Sequence, residues 1–285
     1  MNRPPANEHE LELAIVRRAG RSNSRALADR ITMANAIVGQ FLGDGVAVKG
    51  GSSLRFRYGS DGTRHTMDFD TTRRISLDDF LSRFQNGLSM GWEGFTGEAA
   101  LLPQASPRGV PPEYVMQPIR VKLFYKGKNW CSVDLEISLG EAGAADDIEL
   151  MQPNAETVAV FTELGFPTPM PAPLMRIEHQ VAQKLHAVSD THSHRAHDLI
   201  DLQLIVQREK LDFAKIRRIC VRLFAARKRA PWPPPKVKGG DDWPTLYDNQ
   251  KGVLPVLPTV EEAVDWVNGL IEEIDSAKDS SLPKP

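Results

Sequence analysis

The apolar pattern of this chain changes its period part-way along, and that change constrains the fold more than any other feature. Before residue 155, short apolar segments alternate with polar residues around turn signals, which is typical of β-strands. After a proline cluster at residues 167–173, apolar residues recur at helical spacing. A chain of 285 residues also exceeds the roughly 100 to 200 residues of a typical domain. The sequence therefore predicts an α/β (α+β) domain over residues 1–155 and a mostly helical domain over residues 156–285.

Turn signals in the first domain predict two β-hairpins. The Asp61-Gly62 pair favours a tight turn between strands at residues 54–58 and 63–70. Residues 119–125 and 130–137 alternate in the same way around a Lys-Gly-Lys-Asn turn. We expect both hairpins to belong to the sheet of the first domain.

Helical periodicity accounts for much of the remaining chain. Ser22 or Ser24 is a candidate N-cap where the first helical stretch is interrupted, and Thr259 is a candidate N-cap near the end of the chain. Residues 231–247, which contain Pro-Pro-Pro and Gly-Gly, are expected to be irregular. The predicted helical segments are residues 11–41 with a break at 20–23, and residues 176–188, 194–207, 213–228 and 260–276.

Charge and cysteine content narrow the function classes. The 35 basic and 37 acidic residues give a net charge of -2, so any RNA surface must be local rather than global. Cys131 and Cys220 are the only cysteines and are far apart in the sequence, so neither a disulfide framework nor a cysteine-built zinc site is indicated. The first residues carry acidic side chains without an apolar signal segment, and no run of 18 apolar residues occurs. We expect a soluble, cytoplasmic protein.

Two acidic pairs on predicted strands point to metal chemistry. Asp68 and Asp70 are two residues apart, so an extended strand projects both carboxylates from one face, about 6 to 7 Å apart. Magnesium and manganese prefer such oxygen ligands and leave positions for phosphate oxygens. Asp134 and Glu136 also share one strand face, and either of them supplies a third carboxylate. The alternative is a solvated strand face without a metal.

A glycine-rich segment follows the short apolar strand at residues 46–48. Gly50 and Gly51 allow backbone N–H groups to approach a triphosphate, and Ser52 adds a hydroxyl donor. Phosphoryl and nucleotidyl transfer gain mainly from positioning and charge neutralisation, which these residue types provide. The glycine segment alone is a weak signal, but it gains weight from the acidic pairs that follow it.

The order of these motifs resembles that of the DNA polymerase beta type nucleotidyltransferases. Within that superfamily, the segments KGGSSLR at 49–55 and RHTMDFD at 64–70 resemble the AbiEii/AbiGii toxins. Those toxins usually read Gly-Gly-Thr-x-Leu and Arg-x-Ser-x-Asp-hydrophobic-Asp, so each motif differs here by one hydroxyl residue. The segments EHQVAQKLHA at 178–187 and RAHDLIDL at 195–202 resemble two later family motifs. The resemblance covers roughly residues 45–205.

This resemblance implies a nucleotidyltransferase toxin that moves a nucleotide from an NTP to an RNA acceptor, with a cognate antitoxin as regulator. It implies that the acceptor is the tRNA 3' end and that growth arrest follows. It also implies a polymerase-beta-like domain with a mixed sheet, and a helical C-terminal domain that completes the active-site cleft. The implied catalytic residues are Asp68, Asp70, Lys184 and Asp198; the implied nucleotide contacts are Gly50, Gly51, Ser52, Arg55, Lys184 and Arg195; the metal ligands are Asp68, Asp70, and Glu136 or Asp134.

The later motifs also have plainer interpretations. Lys184 lies on an apolar helix, where a lysine often extends along the surface to water. Asp198 and Asp201 share a helix face, and Arg195 is one turn before Asp198, so structural ion pairing is an alternative to catalysis. A metal phosphohydrolase that uses these aspartates with His186 and His197 is the enzymatic alternative. A non-catalytic nucleotide-binding or RNA-binding regulatory module is the other.

A basic helical segment offers a surface for an RNA acceptor. Its cations recur at turn spacing, with apolar residues left to pack inward. Together with Trp232 and Trp243, such a face would bind RNA phosphates and stack a base. The alternative is an ordinary solvated face. The cations are Lys215, Arg217, Arg218, Arg222, Arg227, Lys228 and Arg229.

Overall fold

The computed structural model describes residues 3–107, 114–190, 193–228 and 231–277, and the chain divides into two compact units. The first unit contains residues up to 62, 66–140 and 145–175, and the second contains 63–65, 141–144 and the chain from 176 onward. The sequence placed the boundary at residue 155. The first unit continues twenty residues further because the last two strands of its sheet lie between residues 148 and 175.

The first unit is built on a seven-stranded sheet in the order β3-β4-β5-β2-β1-β7-β6. Strand β2 is antiparallel to β1 and parallel to β5, and β1 is parallel to β7, so the predicted mixed sheet is confirmed. The elements are α1 Glu8–Arg18, α2 Asn23–Gln40, β1 Val46–Val48, α3 Gly50–Tyr58, β2 Phe69–Arg73, α4 Leu77–Met90, β3 Phe95–Leu101, β4 Gln117–Tyr125, β5 Lys128–Leu139, β6 Ile148–Met151, α5 Ala155–Glu163 and β7 Ala172–Met175.

Alternation of apolar and polar residues decides which sheet face is covered. Phe69 of β2 and Leu135 of β5 are fully buried in one core cluster with Leu11 of α1 and Ile37 of α2. Because side chains alternate along a strand, Asp70 and Thr72 of β2 and Asp134, Glu136 and Ser138 of β5 project from the opposite face. The candidate metal ligands of these two strands therefore lie on the face opposite α1 and α2.

The N-terminal segment is joined to the sheet by specific hydrogen bonds. Tyr125 Oη donates to the Pro5 carbonyl oxygen at 2.7 Å, and Trp130 Nε1 donates to Glu12 Oε1 at 2.7 Å. Both aromatic rings also pack against Phe95, with centroids 4.6 and 5.2 Å away. The segment before and within α1 thus completes the aromatic part of the core.

One predicted hairpin is confirmed and the other is wrong. Strands β4 and β5 pair antiparallel around Lys126 and Gly127, whose φ angles of 47° and 77° suit a two-residue turn. Residues 54–58, in contrast, belong to helix α3 rather than to a strand. Gly50, with φ of 64°, redirects the chain at the end of β1 into that helix. Of the second predicted arm, only its last two residues belong to a strand, β2.

The second unit consists of helices α6 Ile177–Val188, α7 His197–Arg208, α8 Phe213–Arg227, α9 Trp243–Lys251 and α10 Val260–Ser276 in the described residues. Helix α6 packs against α7 and α8, and Thr259 forms the predicted cap of α10 as a capping box. The expectation that residues 231–247 are irregular is wrong for residues 243–247, which begin helix α9. Trp243 and Tyr247 are the buried residues of this helix. In the part of the chain that the structure describes, no helix has the length and apolar character needed to cross a bilayer.

Candidate active site

Three carboxylates lie together on the face of the first unit's sheet that is opposite α1 and α2. Asp70 of β2 is the direct register partner of Glu136 on the parallel strand β5. Asp68, exposed, lies two residues before Asp70 along the chain, and Asp70 and Glu136 are partly exposed. We call Asp68, Asp70 and Glu136 the acidic row.

Mutual repulsion within the acidic row is visible at Glu136. Burial raises the pKa of the Glu136 carboxyl, and the negative charges of Asp70 and then Asp68 raise it further. The nearby Lys49 ammonium acts in the opposite direction on this pKa. The three carboxylates are therefore close enough to interact, and a cation placed among them would be stabilised.

Asp134, the other candidate for the third carboxylate, has a different partner. It is exposed on β5 opposite Arg120 of β4, and the two form a bidentate pair with distances of 2.8 and 3.0 Å. The structure thus places Glu136, and not Asp134, in register with Asp70.

The glycine segment begins helix α3 instead of forming a loop. A Cβ atom on Gly50 would lie 2.8 Å from Asp70 Oδ2, and one on Gly51 would lie 3.1 Å from the Thr66 side chain. The positive φ of 64° favours glycine at residue 50, and a side chain at residue 51 would require the Thr66 side chain to shift slightly. The first N–H groups of an α-helix have no intrahelical acceptor and carry partial positive charge, so this end of α3 suits an anion.

Two other predicted nucleotide contacts are used within the fold. The Ser52 hydroxyl donates to the Asp68 carbonyl oxygen, which ties the start of α3 to the acidic row. Arg55 is only 7% exposed and donates to the Ala28 carbonyl oxygen and to Thr32 Oγ1, both at 2.9 Å. The structure places Arg55 against α2, where it packs α3 onto its neighbour.

In the second unit, the late motifs form a buried group of charges that we call the ionic cluster. Lys184 Nζ donates to Asp198 Oδ1 at 2.7 Å and to Asp201 Oδ2 at 2.6 Å. Arg195 Nε donates to Asp198 Oδ2 at 2.6 Å, and Arg64 Nε donates to Asp201 Oδ1 at 3.1 Å. The residues around Asp198 that the sequence grouped are thus in contact, while Arg64 was not anticipated as a partner.

Burial sets the electrostatics of the ionic cluster. Asp198 and Asp201 are fully buried and Lys184 is 4% exposed, whereas the Arg195 side chain is 53% exposed. Burial alone would raise the pKa of Asp198, but the charges of Lys184 and Arg195 hold it below its usual range. Burial lowers the pKa of His197 to about 4, so this histidine is neutral at physiological pH. Arg195 is consequently the cation that the cluster presents to solvent most openly.

Among the described residues, no group of three or more His, Cys, Asp or Glu side chains is arranged to hold a metal ion. The donor chemistry of the acidic row nevertheless fits magnesium, because it offers carboxylate oxygens from adjacent strands. The phosphohydrolase alternative has less support, since His186 contacts Phe224 and Arg227 and the buried aspartates are occupied by cations.

The basic helix α8 is less open than its sequence indicated. Lys215 pairs with Glu178 at 3.2 Å, Arg217 pairs with Asp275 at 3.2 Å, and Arg227 pairs with Glu141. Arg229 lies outside the described residues.

Both tryptophans near α8 are held within the fold. The expected stacking role of Trp243 is wrong, because its ring is 1% exposed and its Nε1 donates to the Ser193 carbonyl oxygen at 2.6 Å. Trp232 packs edge-on against Phe224 and donates to Asp275 Oδ1 at 3.1 Å.

Comparisons with known proteins also indicate a nucleotidyltransferase. The sequence model of the family described as nucleotidyl transferase AbiEii toxin, type IV toxin–antitoxin system, matches residues 32–268. A comparison with curated protein sequences gave no significant match.

Among solved structures, MenT4, a nucleotidyltransferase toxin from Mycobacterium tuberculosis, matches with a TM-score of 0.60 and 17% identity, over 94% of this chain and 90% of that one. A protein from H. pylori assigned provisionally as a nucleotidyltransferase matches with a TM-score of 0.47 and 16% identity, over 89% and 95%. A nucleotidyltransferase-like protein from Paracoccidioides brasiliensis gives 0.41 and 14%, over 70% and 89%. Only the first of these likenesses bears on the fold.

The mixed sheet has the fold of a known nucleotidyltransferase toxin, and the family match over residues 32–268 assigns this protein to the class of nucleotidyltransferases. The chain belongs to the AbiEii family of nucleotidyl transferase toxins of type IV toxin–antitoxin systems. Membership of this family implies an NTP substrate and an antitoxin partner. The resemblance drawn from the four sequence motifs is therefore confirmed.

Proposed function

We propose that this toxin transfers a nucleotide from an NTP to an RNA acceptor, the 3' end of tRNA, in a reaction that requires magnesium or manganese. The observation that carries the proposal is the acidic row, in which Asp70 and Glu136 are register partners and Asp68 is two residues away. The tRNA acceptor and the resulting growth arrest are inferred from the family resemblance. Antitoxin control follows from family membership.

In this proposal, the residues of the first unit hold the reactants. Asp68, Asp70 and Glu136 would bind the divalent ion through carboxylate oxygens, with Glu136 completing the set or accepting the proton of the acceptor hydroxyl. The ion supplies charge neutralisation at the triphosphate. The N–H groups at the start of α3 bind phosphate oxygens, since the first N–H groups of a helix have no intrahelical acceptor.

In the second unit, Lys184 and Arg195 are the proposed triphosphate contacts. Arg195 is well exposed, whereas Lys184 is held between two carboxylates. We assign to Asp198 the role of orienting both cations, because it accepts a hydrogen bond from each. Arg195 therefore makes the more direct contact of the two.

The test is incubation of the protein with each radiolabelled NTP and purified tRNA, with Mg²⁺, with Mn²⁺ and with EDTA. We expect label on tRNA with either metal ion and none in EDTA. Glu136→Gln should abolish labelling, whereas Asp134→Asn, on the same strand face but paired with Arg120, should retain it. Phosphate release without labelled RNA would support hydrolysis, and binding without turnover would support a regulatory module. Full activity in EDTA would overturn the metal requirement.

A further inference from the structure

Lys49 lies in line with the acidic row. Strands β1 and β2 pair with Val48 opposite Thr71, and the next N–H group, that of Lys49, donates to the Asp70 carbonyl oxygen at 2.8 Å. Directly opposed residues of antiparallel strands project to the same face of a sheet. Lys49, the residue that follows β1, therefore lies beside Asp70 of β2, whose register partner on β5 is Glu136.

The ammonium group of Lys49 has a defined position. Its Nζ donates to Ser138 Oγ at 3.2 Å and lies 3.6 Å from Met116 Sδ. Ser138 is two residues beyond Glu136 on β5, so it projects from the same face, and it is only 5% exposed. The Lys49 side chain thus extends from β1 across β2 to β5, over the sheet face that bears the acidic row.

We propose that Lys49 is a resident cation of the acidic row, which keeps metal affinity low until a triphosphate binds with the metal. The inference rests on the proposed function. Three ionised carboxylates would carry three negative charges, and one ammonium leaves two, the charge of a single divalent ion. An ammonium beside the row repels a second cation, and the negative charge of a triphosphate offsets that repulsion. Metal and nucleotide would therefore bind cooperatively.

The experiment is titration of Mn²⁺ into nucleotide-free protein, followed by calorimetry and by the paramagnetic signal of free Mn²⁺. We expect Lys49→Met to bind Mn²⁺ roughly three- to tenfold more tightly than wild type, because a repelling charge is removed. Lys49→Arg should stay within about twofold of wild type, since the charge is kept. Lys122→Met is the matched control, because Lys122 is exposed on β4, four residues from the register partner of Glu136. Unchanged or weaker binding by Lys49→Met would overturn the inference.

A second pair of measurements separates charge from simple packing. Lys49→Gln keeps a polar group able to donate a hydrogen bond but removes the charge, so it should also bind Mn²⁺ more tightly. If Lys49 only joins β1 to Ser138, Lys49→Gln will behave as wild type, and the inference fails. This variant also serves if Lys49→Met does not fold. Without metal, its melting temperature should fall because the carboxylates repel each other, and Mn²⁺ should restore it.

The outcome also distinguishes this inference from the proposed function. If wild type and both uncharged Lys49 variants all bind no Mn²⁺, or if Asp68→Asn binds it as well as wild type does, the proposed metal site is wrong and the role of Lys49 is wrong with it. If Asp68→Asn loses binding while both uncharged Lys49 variants match wild type, the metal site stands and the inference alone is overturned.

Discussion

The two units of this protein hold their charged residues in opposite ways. The acidic row places three carboxylates side by side on a sheet face, where burial and then the charges of Asp70 and Asp68 raise the pKa of Glu136. The ionic cluster buries its carboxylates completely and gives each of them two cationic partners. The first arrangement is left with excess negative charge and so attracts a cation. In the second, cationic side chains of the same cluster balance the negative charges, so the cluster stabilises the fold.

The difference matters for what a substitution will do. Removing a carboxylate from the row relieves repulsion, so the fold loses little and the chemistry loses much. Removing a member of the cluster leaves a buried charge without its partner, which costs about 3 to 5 kcal/mol of stability. A substitution in the row should therefore reduce transfer with little change in stability, whereas one in the cluster should lower stability together with any triphosphate contact of Lys184 or Arg195.

The largest effect is expected for Asp68→Asn, which keeps the side-chain shape but removes the charge. Transfer of label to tRNA should fall by roughly two or more orders of magnitude, because a neutral amide does not replace a metal ligand. The melting temperature without metal should hold or rise slightly. Melting curves and label transfer on the same preparations test this, with Asp134→Asn as the control. A wild-type rate from a normally folded variant would remove Asp68 from the metal site.

A smaller but still large effect is expected for Lys184→Met in the ionic cluster. It leaves Asp198 and Asp201 buried with fewer cations, so the free energy of unfolding should fall by about 3 to 5 kcal/mol. Lys215→Met, which breaks a more exposed pair with Glu178, should cost about 1 kcal/mol or less. Urea unfolding compares the two. Equal stability with weakened NTP binding would show that the triphosphate is the main partner of Lys184.

Acidification should lower the stability of the folded protein through protonation of His197, which lies beside the ionic cluster. The pKa of this histidine is about 4 in the folded protein and about 6.5 when unfolded, so the unfolded chain binds the extra proton first. Stability that is fully present above pH 6.5 should therefore fall as the pH drops toward 4, by at most about 3 kcal/mol. His197→Gln should flatten this part of the stability profile. An NMR titration with a midpoint near 6.5 in the folded protein would contradict the expectation.

The smallest effect concerns the basic helix, where some charges are paired as in the cluster and Arg222 is exposed. Arg222→Gln should reduce the salt dependence of RNA binding by about one unit of slope if it contacts a phosphate. Arg217→Gln should change it less, because Arg217 already pairs with Asp275. Replacing Arg217, Arg218 and Arg222 together should weaken RNA binding without changing NTP binding. Binding measured across a range of KCl concentrations tests this, and an unchanged slope would exclude the helix from the acceptor surface.

Local signals predicted the elements that depend on neighbouring residues. Ser22 caps α2 and Thr259 caps α10, as their positions before helical periodicity indicated. The Lys126-Gly127 turn likewise set the β4–β5 hairpin. Helix α4 begins with the same kind of signal, since Ser76 accepts a hydrogen bond from the Asp79 N–H, and it could have been found. These features form through contacts only a few residues apart.

Contacts between distant segments could not be read from the sequence. The choice of Glu136 over Asp134 depends on the parallel register of β2 and β5, which joins residues 66 positions apart. The Asp61-Gly62 pair wrongly predicted a hairpin, because the residues before it belong to helix α3, which begins at Gly50. Arg55 looked like a ligand contact, yet α2 supplies its acceptors. In each case the packing of whole elements decides the outcome, and no local pattern reports it.

The hydrogen bonds from Tyr125 to Pro5 and from Trp130 to Glu12 bear on where this protein can be shortened. The family match begins at residue 32, in the middle of α2, so its boundary does not coincide with a unit that can fold. A chain cut there would lose α1 and half of α2, and it would open the aromatic cluster around Phe95 to water. Such a chain would keep every motif of the proposed active site, but it would expose an apolar surface that favours aggregation. Loss of activity on truncation would therefore report on aggregation rather than on catalysis.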